Sequence, residues 1–153
     1  MKKAFTMVEV IFVIVIIGIL AAVAIPKLAA SRDDAEASVC IREVGQLIEE
    51  VASEYAKVGY STFKDKTISL MTNIPLITAD DTRGLKIDNK VDTVGIIYIC
   101  GGEEIVNILG QSENGDYDLN ITLTASTNPV SQIAVEGIGK NVLGGSSAKI
   151  FGL

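Results

Sequence analysis

The chain contains no histidine and no tryptophan, and it has only two cysteines and three prolines. Histidine is the commonest general base and a frequent metal ligand. Its absence removes Ser–His and Cys–His nucleophilic catalysis together with most metal chemistry. Cys40 and Cys100 are not at metal-ligand spacing. No glycine-rich phosphate loop follows a strand pattern, since Gly101-Gly102 and Gly144-Gly145 read as turns. Positive charge is also short, with 13 Lys and Arg against 19 Asp and Glu, a formal net charge of −6. An acidic surface repels phosphate backbones, so direct nucleic-acid binding is not expected. Nothing in the sequence assembles a catalytic constellation. No enzyme activity, cofactor or metal is expected.

What the chain does have is one long apolar run. Hydrophobic residues make up 48% of the sequence and mean hydropathy is +0.40, and the excess sits at the N-terminus. From Phe5 to Ile25 only Glu9 is charged. A helix of about 20 apolar residues is long enough to cross a bilayer. A carboxylate within such a span costs about 2.5–3.5 kcal/mol on insertion scales, so Glu9 reads as a functional group in need of a partner. Lys2 and Lys3 precede the run and Pro26 closes it.

These residues resemble the class III signal of type IV pilins and type II secretion pseudopilins. That pattern is a short basic leader, a small residue, Phe, a polar residue, two apolar residues, Glu, and an apolar stretch ending near a Pro. The matching residues are Lys2, Lys3, Ala4, Phe5, Thr6, Glu9 and Pro26. Ala4 stands where the pattern usually has Gly; it is still small, and slower cleavage is the expected consequence. The resemblance implies cutting between Ala4 and Phe5 by a prepilin peptidase and methylation of the new Phe5 amine. It also implies pairing of that amine with Glu9 of a neighbouring subunit; Thr6, counted with them as an assembly residue, can bond either its own helix backbone or a neighbour. The expected partners are further copies of the chain in a helical filament, other pilins or pseudopilins, an inner-membrane assembly platform and the membrane. The expected placement is a single pass through a bacterial inner membrane, N-terminus in the cytoplasm and globular part in the periplasm.

Two other readings of the N-terminus compete. A secretory signal could be cut after Ala24, because Ala22-Val23-Ala24 has the A-x-A form. The apolar stretch is long for a signal core, and Glu9 would interrupt it. A plain anchor held by Lys2 and Lys3 explains everything except Glu9. In either case the rest of the chain would be an extracytoplasmic binding module that never polymerises.

Residues 27–58 contain no further proline. Leu28, Ala35, Val39, Val44, Leu47, Ile48, Val51, Tyr55 and Val58 follow steps of mostly three, four or seven, an amphipathic helix. Gly59 suits its C-terminal cap. Pro26 either ends the first helix or kinks one that continues. The expected organisation is a leader at 1–4, a membrane helix at 5–25, an amphipathic helix at 26–58 and a globular part at 59–153. Residues 60–91 read as a connecting loop with short helix or turn. Asp80, Asp81 and Asp88 lack calcium-loop spacing and read as solvated. Val94–Cys100, Glu104–Leu109 and Tyr117–Thr124 read as antiparallel strands, with a turn signal at Glu113–Asp116. Asn114, Asp116 and Asp118 fit a hairpin better than a cation site. Gln132–Val135 reads as a short further strand, and 137–153 as a Gly/Ser-rich segment that covers an edge or stays mobile. Helix first and strands after give an α+β, pilin-like fold with the long helix laid on a small antiparallel sheet.

Outside the cytoplasm Cys40 and Cys100 form a reasonable disulfide, one on the helix and one ending a strand. Two buried free thiols are the alternative. This placement differs from the C-terminal disulfide loop of many adhesive pilins. With the acidic charge, it favours a type II secretion or DNA-uptake pseudopilin.

Overall fold

The computed structural model describes residues 5–78, 95–113 and 116–151. The chain divides into two units, Met1–Ala35 and Glu36–Leu153. One helix, α1 (Met7–Val58), contributes to both.

In the first unit α1 is a bare apolar helix. It continues through Pro26, where the missing N–H removes one backbone hydrogen bond without ending the element. In the second unit the same helix becomes amphipathic. Ala37, Cys40, Val44, Leu47 and Val51 are buried, at alternating steps of three and four, the spacing of one helical face. The sequence-derived stripe is therefore right from Val44 onward and wrong before it. Val39 is 44% exposed and Leu28 is 70% exposed, while Ala37 and Cys40 take the core positions. Cys40 is drawn into the core by its bond to Cys100 of the sheet. Lys57 sits in the last turn, where a cation complements the negative end of the helix. Gly59 follows with φ 69° and donates its N–H to the Tyr55 carbonyl at 2.9 Å, a left-handed stop that glycine adopts without steric cost.

The connection after α1 carries one helical turn, α2 (Tyr60–Phe63), and a 3₁₀ turn at Ile68–Leu70. Phe63 is fully buried and meets Tyr55 edge-on at 5.3 Å. Residues 79–94, which include Asp80, Asp81 and Asp88, lie outside the described residues.

The sheet is antiparallel, in the order β1 (Ile77–Thr78), β2 (Ile96–Cys100), β3 (Glu103–Glu113), β4 (Asp116–Leu123), β5 (Ser147–Phe151). Gly101 and Gly102 join β2 to β3 with φ 60° and 82°, the double positive φ of a tight hairpin turn. A register shift between Tyr98 and Ile99 is a bulge that bends the strand. On the inner face Ile96 pairs with Ile108, and Ile108 with Ile121, and all three are buried against α1. Leu119 is also buried and Leu123 packs against the same core.

The segment expected as a short strand at Gln132–Val135 is instead part of a helix, α3 (Pro129–Ile138). Asn128 caps it by accepting the Val130 N–H at 2.9 Å, and Pro129 occupies the first turn. That Asn-Pro start is a strong helix signal. Val130, Ala134 and Ile138 then recur every four residues, all buried. A Cβ on Gly137 would stand 2.3 Å from Ile41 Cδ1, so glycine permits the close passage of α3 beside α1. A wide π-type turn at Gly139–Leu143 leads to β5, which pairs with β4 along its edge.

Candidate functional site

The start of α1 brings together Thr6 and Glu9, with Phe5 next in sequence ahead of them. Glu9 Oε2 accepts the Thr6 backbone N–H at 2.8 Å and the Thr6 hydroxyl at 2.8 Å. Thr6 Oγ1 in turn accepts the Glu9 N–H at 3.3 Å. This reciprocal arrangement is a capping box, Thr at the N-cap and Glu three residues on. It occupies backbone donors that the first helical turn cannot otherwise use. It also holds the carboxylate at the positive end of the helix. The T-x-x-E spacing was present in the sequence and announces the cap, so the partner of Thr6 within one chain was readable there. Phe5 is 85% exposed at the tip. Ala4, the expected residue before the cut, lies outside the described residues.

Behind this tip α1 is long and apolar enough to cross a membrane. Its large side chains from Met7 to Ile25 are exposed. An unpartnered apolar surface of this extent is unlike the outside of a soluble monomer.

In the second unit Cys40 and Cys100 form a disulfide, with Cα atoms 6.1 Å apart across a sequence separation of 60. It ties α1 to the end of β2. Beside it the buried Tyr98 donates its hydroxyl to Glu43 Oε2 at 2.5 Å. Burial, and then the Glu43 carboxylate, push the Tyr98 phenol above its ordinary range.

The β2–β3 turn also fastens α3. Ser131 Oγ donates to the Cys100 carbonyl at 2.7 Å, and Asn128 Nδ2 to the Gly101 carbonyl at 3.0 Å. Glu103 accepts the Ser126 hydroxyl, the Thr127 N–H at 3.0 Å, the Thr127 hydroxyl at 2.8 Å and the Asn128 N–H at 3.1 Å. The Ser126 hydroxyl and the Asn128 N–H lead among these in holding the Glu103 carboxyl down to about 2. Neither Glu103 nor Glu43 carried a sequence signal, because their partners lie 24 and 55 residues away.

Among the described residues, no group of three or more His, Cys, Asp or Glu is gathered to hold a metal ion. Asn114 and the Asp116 side chain lie outside the described residues.

Residues 1–25 match the family described as the prokaryotic N-terminal methylation motif. This is the class III prepilin signal of type IV pilins and pseudopilins, and the fold behind it is α+β and pilin-like. No curated protein and no solved structure gives a significant match to the chain.

Proposed function

We propose that this chain is a structural subunit of a type IV filament-like assembly, polymerising through α1 after cleavage between Ala4 and Phe5. The observation that carries the reading is a carboxylate, Glu9, seated in the first turn of an exposed apolar helix inside a prepilin methylation motif. The helix end contributes about 0.3–1 kcal/mol to a nearby carboxylate. That is less than the roughly 2.5–3.5 kcal/mol that a charge costs at membrane depth. Cleavage supplies a cation to close the gap, the amine of Phe5, which methylation leaves charged. Phe5 of one subunit pairs with Glu9 of its neighbour as the helices leave lipid for a bundle. The Thr6 cap holds the carboxylate until then.

In this reading residues 1–4 are the leader, 5–25 the membrane and filament-core helix, 26–58 the helix that packs on the globular part, and 59–153 the periplasmic part. The partners are further copies, other pilins, the prepilin peptidase and an inner-membrane assembly platform. The acidic charge, and a disulfide that joins helix to sheet, favour a type II secretion or DNA-uptake pseudopilin over an adhesive pilin. The chain acts as a structural element and performs no catalysis.

The test is Glu9→Ala in the native host. The variant should remain in the membrane fraction at normal level and form no fibres. Fibres of normal length and number from Glu9→Ala would contradict the proposal, and would favour a binding domain that needs neither cleavage nor Glu9.

A further inference from the structure

Of the seven asparagines, only Asn120 opens an Asn-x-Ser/Thr triplet without proline, Asn120-Ile121-Thr122. That triplet is the acceptor pattern for an N-linked oligosaccharide in exported chains. The fold places it where a glycan fits. Leu119 and Ile121 are buried in the core cluster with α1, so alternation along β4 turns Asn120 and Thr122 to the other face of the sheet. Thr122 is exposed there and Asn120 is partly exposed. A group attached at Asn120 leaves the sheet on that side without entering the core.

The cross-strand neighbour of Asn120 is the second observation. Asn120 stands directly opposite Leu109 in the β3–β4 register, and Leu109 is 39% exposed. Beyond α1, the other large apolar side chains exposed among the described residues are Leu70 and Ile133. Residues opposite each other in an antiparallel pair have Cβ atoms about 4.5–5.5 Å apart. A sugar ring presents an apolar C–H face as well as hydroxyls. The first sugar on Asn120 would therefore reach Leu109 and cover it.

We infer that Asn120 is glycosylated: its side-chain amide accepts an oligosaccharide from a lipid diphosphate carrier at the periplasmic face of the membrane. The site of reaction belongs to a membrane transferase, and this chain is the substrate. The amide nitrogen attacks the anomeric carbon of the first sugar, and a C–N bond forms. The bond from that carbon to the diphosphate oxygen breaks, and the lipid diphosphate leaves with the electron pair. The amide gives one proton to a base of the enzyme, so the step needs no oxidant or reductant. Thr122 is the recognition residue, because its hydroxyl lies two positions on, along the same side of an extended chain. Asp118 places a carboxylate two positions before, on that side too, where a cationic group of the transferase can pair with it.

β4 is paired on both edges, with β3 and β5, and a strand so held cannot bend into an enzyme cleft. Transfer therefore precedes closure of the sheet, while α1 already holds the chain at the membrane. The inference rests on the filament reading for one point, the placement of residues 59–153 outside the cytoplasm.

The test is fragmentation mass spectrometry of the full chain from the membrane and fibre fractions of its host, reading Asn120 and the N-terminus in one sample. An oligosaccharide mass located on Asn120 is expected. It should be lost in Asn120→Gln and in Thr122→Val, and retained in Thr122→Ser, which keeps the hydroxyl. Formation of the Cys40–Cys100 bond in each variant checks folding. A bare Asn120 in chains that begin at Phe5 would overturn the inference and leave the filament reading standing. A sugar mass located on Thr122 or another hydroxyl, with Asn120 bare, would overturn it as well. A glycan on Asn120 in chains that all retain Met1 to Ala4 would sustain the inference and contradict the filament reading.

Discussion

Removing the Cys40–Cys100 bond should separate what the disulfide does from what the core does. The bond closes a loop across a sequence separation of 60. In the chain-entropy account, a loop of that length restricts the unfolded chain enough to stabilise the fold by about 4 kcal/mol at 25 °C. Few local contacts would make up this loss. Cys40 sits between Ala37 and Val44 on the buried face of α1, and both neighbours are small. The perturbation is the paired substitution Cys40→Ala and Cys100→Ala in the full chain, held in detergent micelles. The assay is urea unfolding followed by near-ultraviolet tyrosine dichroism, which reports Tyr98 and Tyr55 in the core cluster and not the detergent-held apolar helix. With a urea slope on the order of 1.5 kcal/mol per M for a domain of this size, the midpoint should fall by roughly 2–3 M. The wild type in excess reductant should move to nearly the same midpoint. A shift under about 0.5 M in both would refute the reasoning. The core and the Tyr98–Glu43 hydrogen bond would then suffice to hold the helix to the sheet.

Two further predictions concern the fastening of α3. The Glu103 carboxyl lies at about 2 in the fold against an ordinary 4.5, so its contribution is fully present above pH 4.5 and is lost as pH falls from there to about 2; Glu103→Gln should flatten the acid limb of a stability–pH curve in that window, and an unchanged limb would dismiss the clasp. Gly137→Val should push Ile41 from its place and destabilise the fold by about 1–3 kcal/mol in urea titration, with Ile41→Ala restoring part of the loss; no loss in the single variant would mean that α3 stands clear of α1.

Much of this architecture was legible because it is written in local periodicity. The apolar run before Pro26, the three-four spacing from Val44 to Val51, the Gly59 stop and the Gly101-Gly102 hairpin each declare themselves within a few residues. The disulfide was an open alternative, since spacing along the chain says nothing of proximity in the fold. The errors have physical causes as well. Gln132–Val135 contains β-prone residues, yet the Asn128 cap and the four-residue recurrence of Val130, Ala134 and Ile138 govern the segment. Before Val44 the larger side chains Leu28 and Val39 drew the apolar stripe toward themselves. The core instead takes Ala37 and Cys40, the second of them tied to β2 by its disulfide. Glu43 and Glu103 read as two solvated carboxylates among many until the fold brings Tyr98 and the Ser126–Asn128 segment to them. For Thr6 the sequence leaves its own helix and a neighbour both open, and the T-x-x-E spacing of a capping box is the signal that decides for its own helix.

Mass spectrometry of the mature N-terminus, on protein from the membrane and fibre fractions, tests the central claim most directly. The account predicts a chain that begins at Phe5 with a methyl group on its amine, and with no leader residues retained. A chain that begins at Ile25, or one that still carries Met1 to Ala4 in every fraction, would contradict it. The Phe5 amine could then not be the cation that answers Glu9.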